Sequence, residues 1–129
     1  MPDTQVLVVD DSSTMRRIII NSLKKLEFSQ VAEAENGVEA LEKLSADTGL
    51  IVTDWNMPVM NGLNFIKNVR ANPEYTTVPI IMVTTEAGKS EIVEAVRNGV
   101  NNYIVKPFTV QVLKEKIQSV LDVELGDIG

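Results

Sequence analysis

With 129 residues and a mass of 14.2 kDa, the chain is the size of one domain and long enough to bury a continuous core. Hydrophobic residues at 44% and charged residues at 23% are ordinary globular usage, which excludes disordered, collagen-like and coiled-coil readings. A net charge of −6 argues against nucleic-acid and acidic-membrane binding, and the lack of Cys and His removes zinc sites, disulfides, thiol catalysis and histidine acid–base chemistry.

Taken in chain order, apolar runs alternate with helical spacing. Val6–Val9 is a β-branched run that reads as a strand buried on both faces. Met15, Ile18, Ile19, Leu23 and Leu26 then recur at the spacing of a helix. Gln30–Ala34 is mixed in polarity and suits an edge strand. Asn36, with Glu39 three residues later, resembles a capping box opening the helix of Val38, Leu41 and Leu44. Leu50–Val52 is the third strand, followed by an Asn61-Gly62 loop and the helix of Leu63, Ile66 and Val69. After an Asn72-Pro73 loop comes the buried strand Ile80–Val83, then an Ala87-Gly88 loop and the helix of Ile92, Ala95 and Val96, with Gly99 as its C-cap. Asn101–Val105 is the second edge strand, and Val110, Leu113, Ile117, Val120 and Leu121 mark the last helix.

Three buried strands, two mixed ones and right-handed crossovers predict an α/β fold: a doubly wound, five-stranded parallel sheet of order 2-1-3-4-5 with five helices. The expectation is a single domain over residues 1–129, without an output domain. No apolar run approaches the ~18 residues of a membrane span, and Met1-Pro2-Asp3-Thr4 lacks the regions of a secretory signal. The expectation is a soluble, cytoplasmic monomer.

The predicted order places a crevice at the carboxyl ends of the first and third strands. The polar residues that end the strands gather there: Asp10-Asp11, Thr53-Asp54, Thr84-Thr85 and Lys106-Pro107. A single acid after a strand is usually a helix cap or solvated. Three at one switch point are different, because each close pair of like charges costs roughly a few kcal/mol at intermediate dielectric. Lys106 cannot neutralise all three. A hard divalent cation, Mg²⁺, takes oxygen donors and pairs naturally with one or two carboxylates plus a phosphate. Asp54 is then free to attack phosphorus as a nucleophile, Lys106 to cancel charge on the phosphoryl oxygens, and Thr84 to donate a hydroxyl hydrogen bond to one of them.

Leu7-Val8-Val9-Asp10-Asp11, Asp54-Trp55-Asn56-Met57-Pro58, Met82-Val83-Thr84 and Val105-Lys106-Pro107-Phe108 together resemble the signature of response-regulator receiver domains over nearly the whole chain. Ser13–Arg17 and the full Asp54–Pro58 tract are most similar to the chemotaxis regulators of that family. The resemblance implies a switch phosphorylated on Asp54 by a histidine kinase of the chemotaxis type. It implies Asp11, Asp54 and the backbone carbonyl of Asn56 as Mg²⁺ ligands, Asp10 as the holder of metal-bound water, and Lys106 and Thr84 as phosphoryl contacts. Tyr103 matches the family's aromatic switch position, and Lys106-Pro107 a bond that is cis in the family. The implied partners are a flagellar motor switch protein and a phosphatase, and the implied output is control of flagellar rotation. Two departures stand out: Glu27 where relatives have Gly at the end of the first helix, and Thr85 where a smaller residue is common.

The fourth helix, fifth strand and fifth helix form the predicted output face, because Thr84 and Lys106 flank the fourth helix. Lys89, Ile92 and Lys116 give that face a cationic and apolar character on an otherwise acidic chain. Trp55 reads equally well as a packing aromatic, Tyr103 reads first as the switch aromatic rather than as mere cover for a sheet face, and Met57 and Met60 read as loop packing. Competing functions are a phosphate sink or phosphorelay receiver, an aspartate-nucleophile phosphatase, and a flavodoxin-like FMN binder. Such phosphatases typically carry two acids two residues apart after the first strand; here Asp10 and Asp11 are adjacent. An FMN phosphate would be repelled by the same pair.

Overall fold

The structure is a computed structural model that describes residues 4–85 and 88–121. Its elements are β1 (Gln5–Val9), α1 (Ser13–Lys25), β2 (Gln30–Ala34), α2 (Gly37–Lys43), β3 (Thr48–Asp54), α3 (Gly62–Ala71), a 3₁₀ turn at Pro73–Tyr75, β4 (Ile80–Thr84), α4 (Lys89–Arg97), β5 (Asn102–Val105) and α5 (Val110–Leu121). All strand pairs are parallel, in the order β2-β1-β3-β4-β5, as the sequence predicts.

Two apolar layers sandwich the sheet. On one face Leu7, Val9, Ile51, Ile80 and Met82 meet Ala40 of α2, Phe65, Ile66 and Val69 of α3, and Ala95 of α4. On the other, Val6, Val8, Leu50, Val52, Ile81 and Val83 meet Ile19 and Leu23 of α1 and Leu113 and Ile117 of α5. The unbroken apolar runs of β1, β3 and β4 follow from this arrangement, since alternate residues are claimed by opposite layers. The helix starts are set locally. Ser12, Asn36 and Asn61 accept hydrogen bonds from Met15 N, Glu39 N and Asn64 N, caps worth about 1 kcal/mol each.

The helical stripes depart from expectation at three places. Ile18 (45% exposed), Val38 (43%) and Val96 (54%) lie on the solvent side. In α1 the buried line runs through Ile19, Ser22 and Leu23, and Ile18 stands about 100° round the helix from Ile19. Apolar spacing alone does not separate the centre of a stripe from its margin. β5 also starts one residue later than predicted. Asn101 instead joins the start of β4 through its backbone N to Ile80 O (2.9 Å) and its Oδ1 from Ile80 N (2.8 Å). The Asn72-Pro73 loop contains a short 3₁₀ turn, and Ala87 of the predicted Ala87-Gly88 loop lies outside the described residues.

Glycine is required at two positions near the ends of helices. At Gly62 a Cβ would stand 2.5 Å from Asp54 O and 2.9 Å from Trp55 Cα, so only glycine lets α3 start directly against the end of β3. Gly99 has φ +106° and ends α4 in the left-handed region, as its predicted capping role needs. Arg70 closes over it, donating to Gly99 O (2.7 Å) and to Tyr75 O (2.8 Å), which ties the C-terminal end of α4 to α3.

The residue after the α1 C-cap is Glu27, with φ 71°. A side chain in that conformation costs roughly 1–2 kcal/mol that glycine does not incur. Glu27→Gly therefore raises stability by about 1 kcal/mol, read as a higher urea midpoint with an unchanged slope. An unaltered midpoint contradicts this account of the cap.

Candidate functional site

The crevice at the carboxyl ends of β1 and β3 collects the residues anticipated from the sequence. Asp10, Asp11 and Asp54 bring one carboxylate oxygen each to within 4.8 Å of one another, with Asp10 and Asp54 buried and Asp11 exposed. Lys106, from the end of β5, reaches across β4's end to both buried acids. Its Nζ lies 3.1 Å from Asp10 Oδ2 and 3.3 Å from Asp54 Oδ1. Three carboxylates and one ammonium leave the cluster short of two positive charges. That deficit, and a donor set made only of oxygens, fits a hard divalent cation such as Mg²⁺.

Each acid is held differently. Asp10 Oδ1 accepts from Ser12 N (2.9 Å), while its backbone N donates to Ala34 O of β2 (3.1 Å). Asp54 Oδ1 accepts from Trp55 N (2.8 Å) in addition to Lys106. Burial, and secondarily the Asp10 carboxylate, push the Asp54 carboxyl above its ordinary range; Lys106 and the Trp55 amide oppose that shift without cancelling it.

The remaining candidates have definite places. Thr84 is fully buried at the end of β4, and its carbonyl accepts from Lys106 N at 2.8 Å, so the two residues share one hydrogen-bonded rim. Asn56 is exposed two residues beyond Asp54, and Lys106-Pro107 is cis. Trp55, Met60 and Tyr103 are partly buried against the α2/α3/α4 layer, and Met57 is buried within it. Ile92 is half-buried on α4, and the Lys89 side chain lies outside the described residues. Lys116 is not simply solvated: its Nζ sits 5.3 Å over the Tyr103 ring and 3.3 Å from Asn102 Oδ1.

One site neighbour escaped the sequence reading. Arg16 donates from Nη1 to Asp10 O (2.6 Å) and from Nε to Glu33 Oε1 (2.8 Å). The available signal was its placement. A cation near the start of a helix with no acid in its first turn opposes the helix dipole, so it needs another partner.

Residues 6–118 match the response regulator receiver domain family. The chain belongs to this family. Among receiver domains it is CheY-like and of the chemotaxis branch. It is 62% identical over 119 residues to the chemotaxis protein CheY1 of Helicobacter pylori strain J99, covering 91% of this chain and 96% of that one. It is 58% identical over 125 residues to the CheY homolog of Campylobacter jejuni strain 81-176, covering 95% and 96%. The solved structure of the chemotaxis response regulator CheY4 of Vibrio cholerae superposes with a TM-score of 0.83 at 36% identity, covering 92% of this receiver and 98% of that chain. Among the described residues, no helix of the receiver is long and apolar enough to cross a membrane.

Proposed function

We propose that this receiver is a stand-alone, cytoplasmic phosphorylation switch of chemotaxis, with Asp54 as phosphoacceptor and a histidine kinase as donor. The observation that carries it is the convergence of Asp10, Asp11 and Asp54 on one crevice, with Lys106 bridging Asp10 and Asp54. Asp54 attacks the phosphorus of the donor's phosphohistidine. An O–P bond forms, the P–N bond breaks, and the electron pair returns to the imidazole, which takes up a proton. Lys106, already 3.3 Å from Asp54, meets the charge arriving on the phosphoryl oxygens, and the Thr84 hydroxyl donates to one of them. Mg²⁺, when bound, supplies screening between two anions. Asp11, Asp54 and the Asn56 carbonyl would hold it, with Asp10 orienting its water. A flagellar motor switch protein then reads the phosphorylated form on the face of α4, β5 and α5, and a phosphatase resets it. The chain assists its own phosphorylation and turns over no external substrate.

The test is intact-mass measurement after incubation with acetyl phosphate. One phosphoryl group is gained with Mg²⁺ and none when the metal is chelated; uptake without metal contradicts the assignment. In parallel, Asp11→Ala weakens Mg²⁺ binding by at least about tenfold, monitored through Trp55 fluorescence. The same change raises the urea midpoint of the metal-free protein, because it removes one of three mutually repelling charges. Wild-type Mg²⁺ affinity in Asp11→Ala would place the metal elsewhere.

A further inference from the structure

Asp11 is the outlier of the acidic cluster. Asp10 has its backbone N, its backbone O and both carboxylate oxygens occupied, by Ala34 O, Arg16 Nη1, Ser12 N and Lys106 Nζ respectively. Asp54 is fixed by Trp55 N and Lys106. The exposed Asp11 carboxylate takes no donor among the described residues, so the direction in which it points follows from the peptide that joins it to Asp10. The oxygen of that peptide is the one Arg16 grips.

Arg16 is itself braced. Its side chain is 15% exposed and ion-pairs through Nε with Glu33 of β2, and the Glu33 carbonyl accepts from Lys43 Nζ of α2. Lys43 pairs in turn with Glu39 (3.2 Å). A continuous polar chain thus runs from α2 over β2 and α1 to the Asp10–Asp11 peptide. Glu33 neutralises Arg16, so the pair adds little net field to the crevice. What remains is geometry: a planar guanidinium with two donors in fixed relation, one spent on the brace and the other on the peptide.

We propose that Arg16 is a positioning residue for the cation site, locking the Asp10–Asp11 peptide so that Asp11 faces Asp54. The inference rests on the reading of the crevice as a Mg²⁺ site. Partners that orient a metal ligand without touching the metal typically contribute 10–100-fold to affinity. The charge-only alternative predicts the opposite sign, because removing a nearby cation should favour binding of another.

The experiment is Mg²⁺ titration by Trp55 fluorescence on wild type, Arg16→Lys, Arg16→Gln, Glu33→Gln, Arg17→Gln and Asp11→Ala, each checked for folding by its urea midpoint. Positioning requires that Arg16→Lys and Arg16→Gln both weaken binding by about tenfold, although only one loses charge. Glu33→Gln, which keeps Arg16 but loosens its brace, weakens binding in the same direction, while exposed Arg17→Gln leaves it unchanged. Wild-type affinity in Arg16→Lys, or tighter binding in Arg16→Gln, overturns the inference. Failure of the underlying reading has a different signature: wild type does not bind Mg²⁺, or Asp11→Ala binds it as wild type does.

Discussion

Asp54→Asn takes up no phosphoryl group from acetyl phosphate, and the same protein is more stable than wild type at neutral pH. The first effect is complete because the amide is not a nucleophile and no other carboxylate occupies its position at the end of β3. The second follows from the environment. Burial and Asp10 raise the Asp54 carboxyl above its ordinary 3.8, so in the window above 3.8 the folded protein holds a proton that the unfolded chain has released. Stability therefore falls as pH rises through that window and stays lower above it. Asparagine has no such proton, and Lys106 retains Asp10 at 3.1 Å. The stability gap between variant and wild type is closed below pH 3.8, opens as pH rises from 3.8 to the raised value, and persists unchanged to neutrality. Urea melts on both sides of the window measure it. A gap that widened toward acid would reverse the sign assigned to Asp54, and phosphate found on Asp54→Asn by intact mass would end its role as acceptor.

The second large effect is the coupling of the site to the α4, β5 and α5 face. α4 is lightly seated among its described residues: Ala95 is buried, whereas Val93 (41% exposed) and Val96 (54%) face solvent. Its N-cap, Gly88, offers no side chain to its first turn, while its other end is fastened by Arg70 at Gly99. The expected effect of phosphorylation is therefore felt first at the uncapped N-terminal end of α4, the end nearer in sequence to Thr84. Tyr103, opposite Met82 in the β4–β5 register, is half-buried against the apolar layer that also holds Ala95 of α4. Exposed Val96 and Val105, with half-buried Ile92 and Lys116, suit an amphipathic peptide with acidic residues. Beryllofluoride, in place of the phosphoryl group, tightens binding of such a peptide by roughly 5–150-fold, the range of ordinary allosteric coupling. Thr84→Ala removes most of that gain while Asp54 still accepts phosphate. Equal affinity with and without beryllofluoride in wild type would assign the receiver to phosphate buffering rather than to partner switching.

How much of this was legible beforehand divides along physical lines. The fold was legible because a parallel sheet covered on both faces makes β1, β3 and β4 apolar without interruption, and because Asn36 and Gly99 mark helix ends by local hydrogen bonding and backbone conformation. The acidic cluster followed from the same pattern. Once the strand order is fixed, Asp10, Asp11, Asp54, Thr84 and Lys106 must share a rim. Tertiary structure alone decided what each side chain does there. Lys106 spans two particular acids, and Glu27 stands in a left-handed conformation. Lys116 covers Tyr103, Ile18 misses the core, and Arg16 and Arg70 are anchors rather than solvated cations. Periodicity records which residues are apolar over one or two turns. A long, flexible, charged side chain satisfies the same pattern wherever its head group lands, so its partner is chosen only when residues far apart in sequence are packed together.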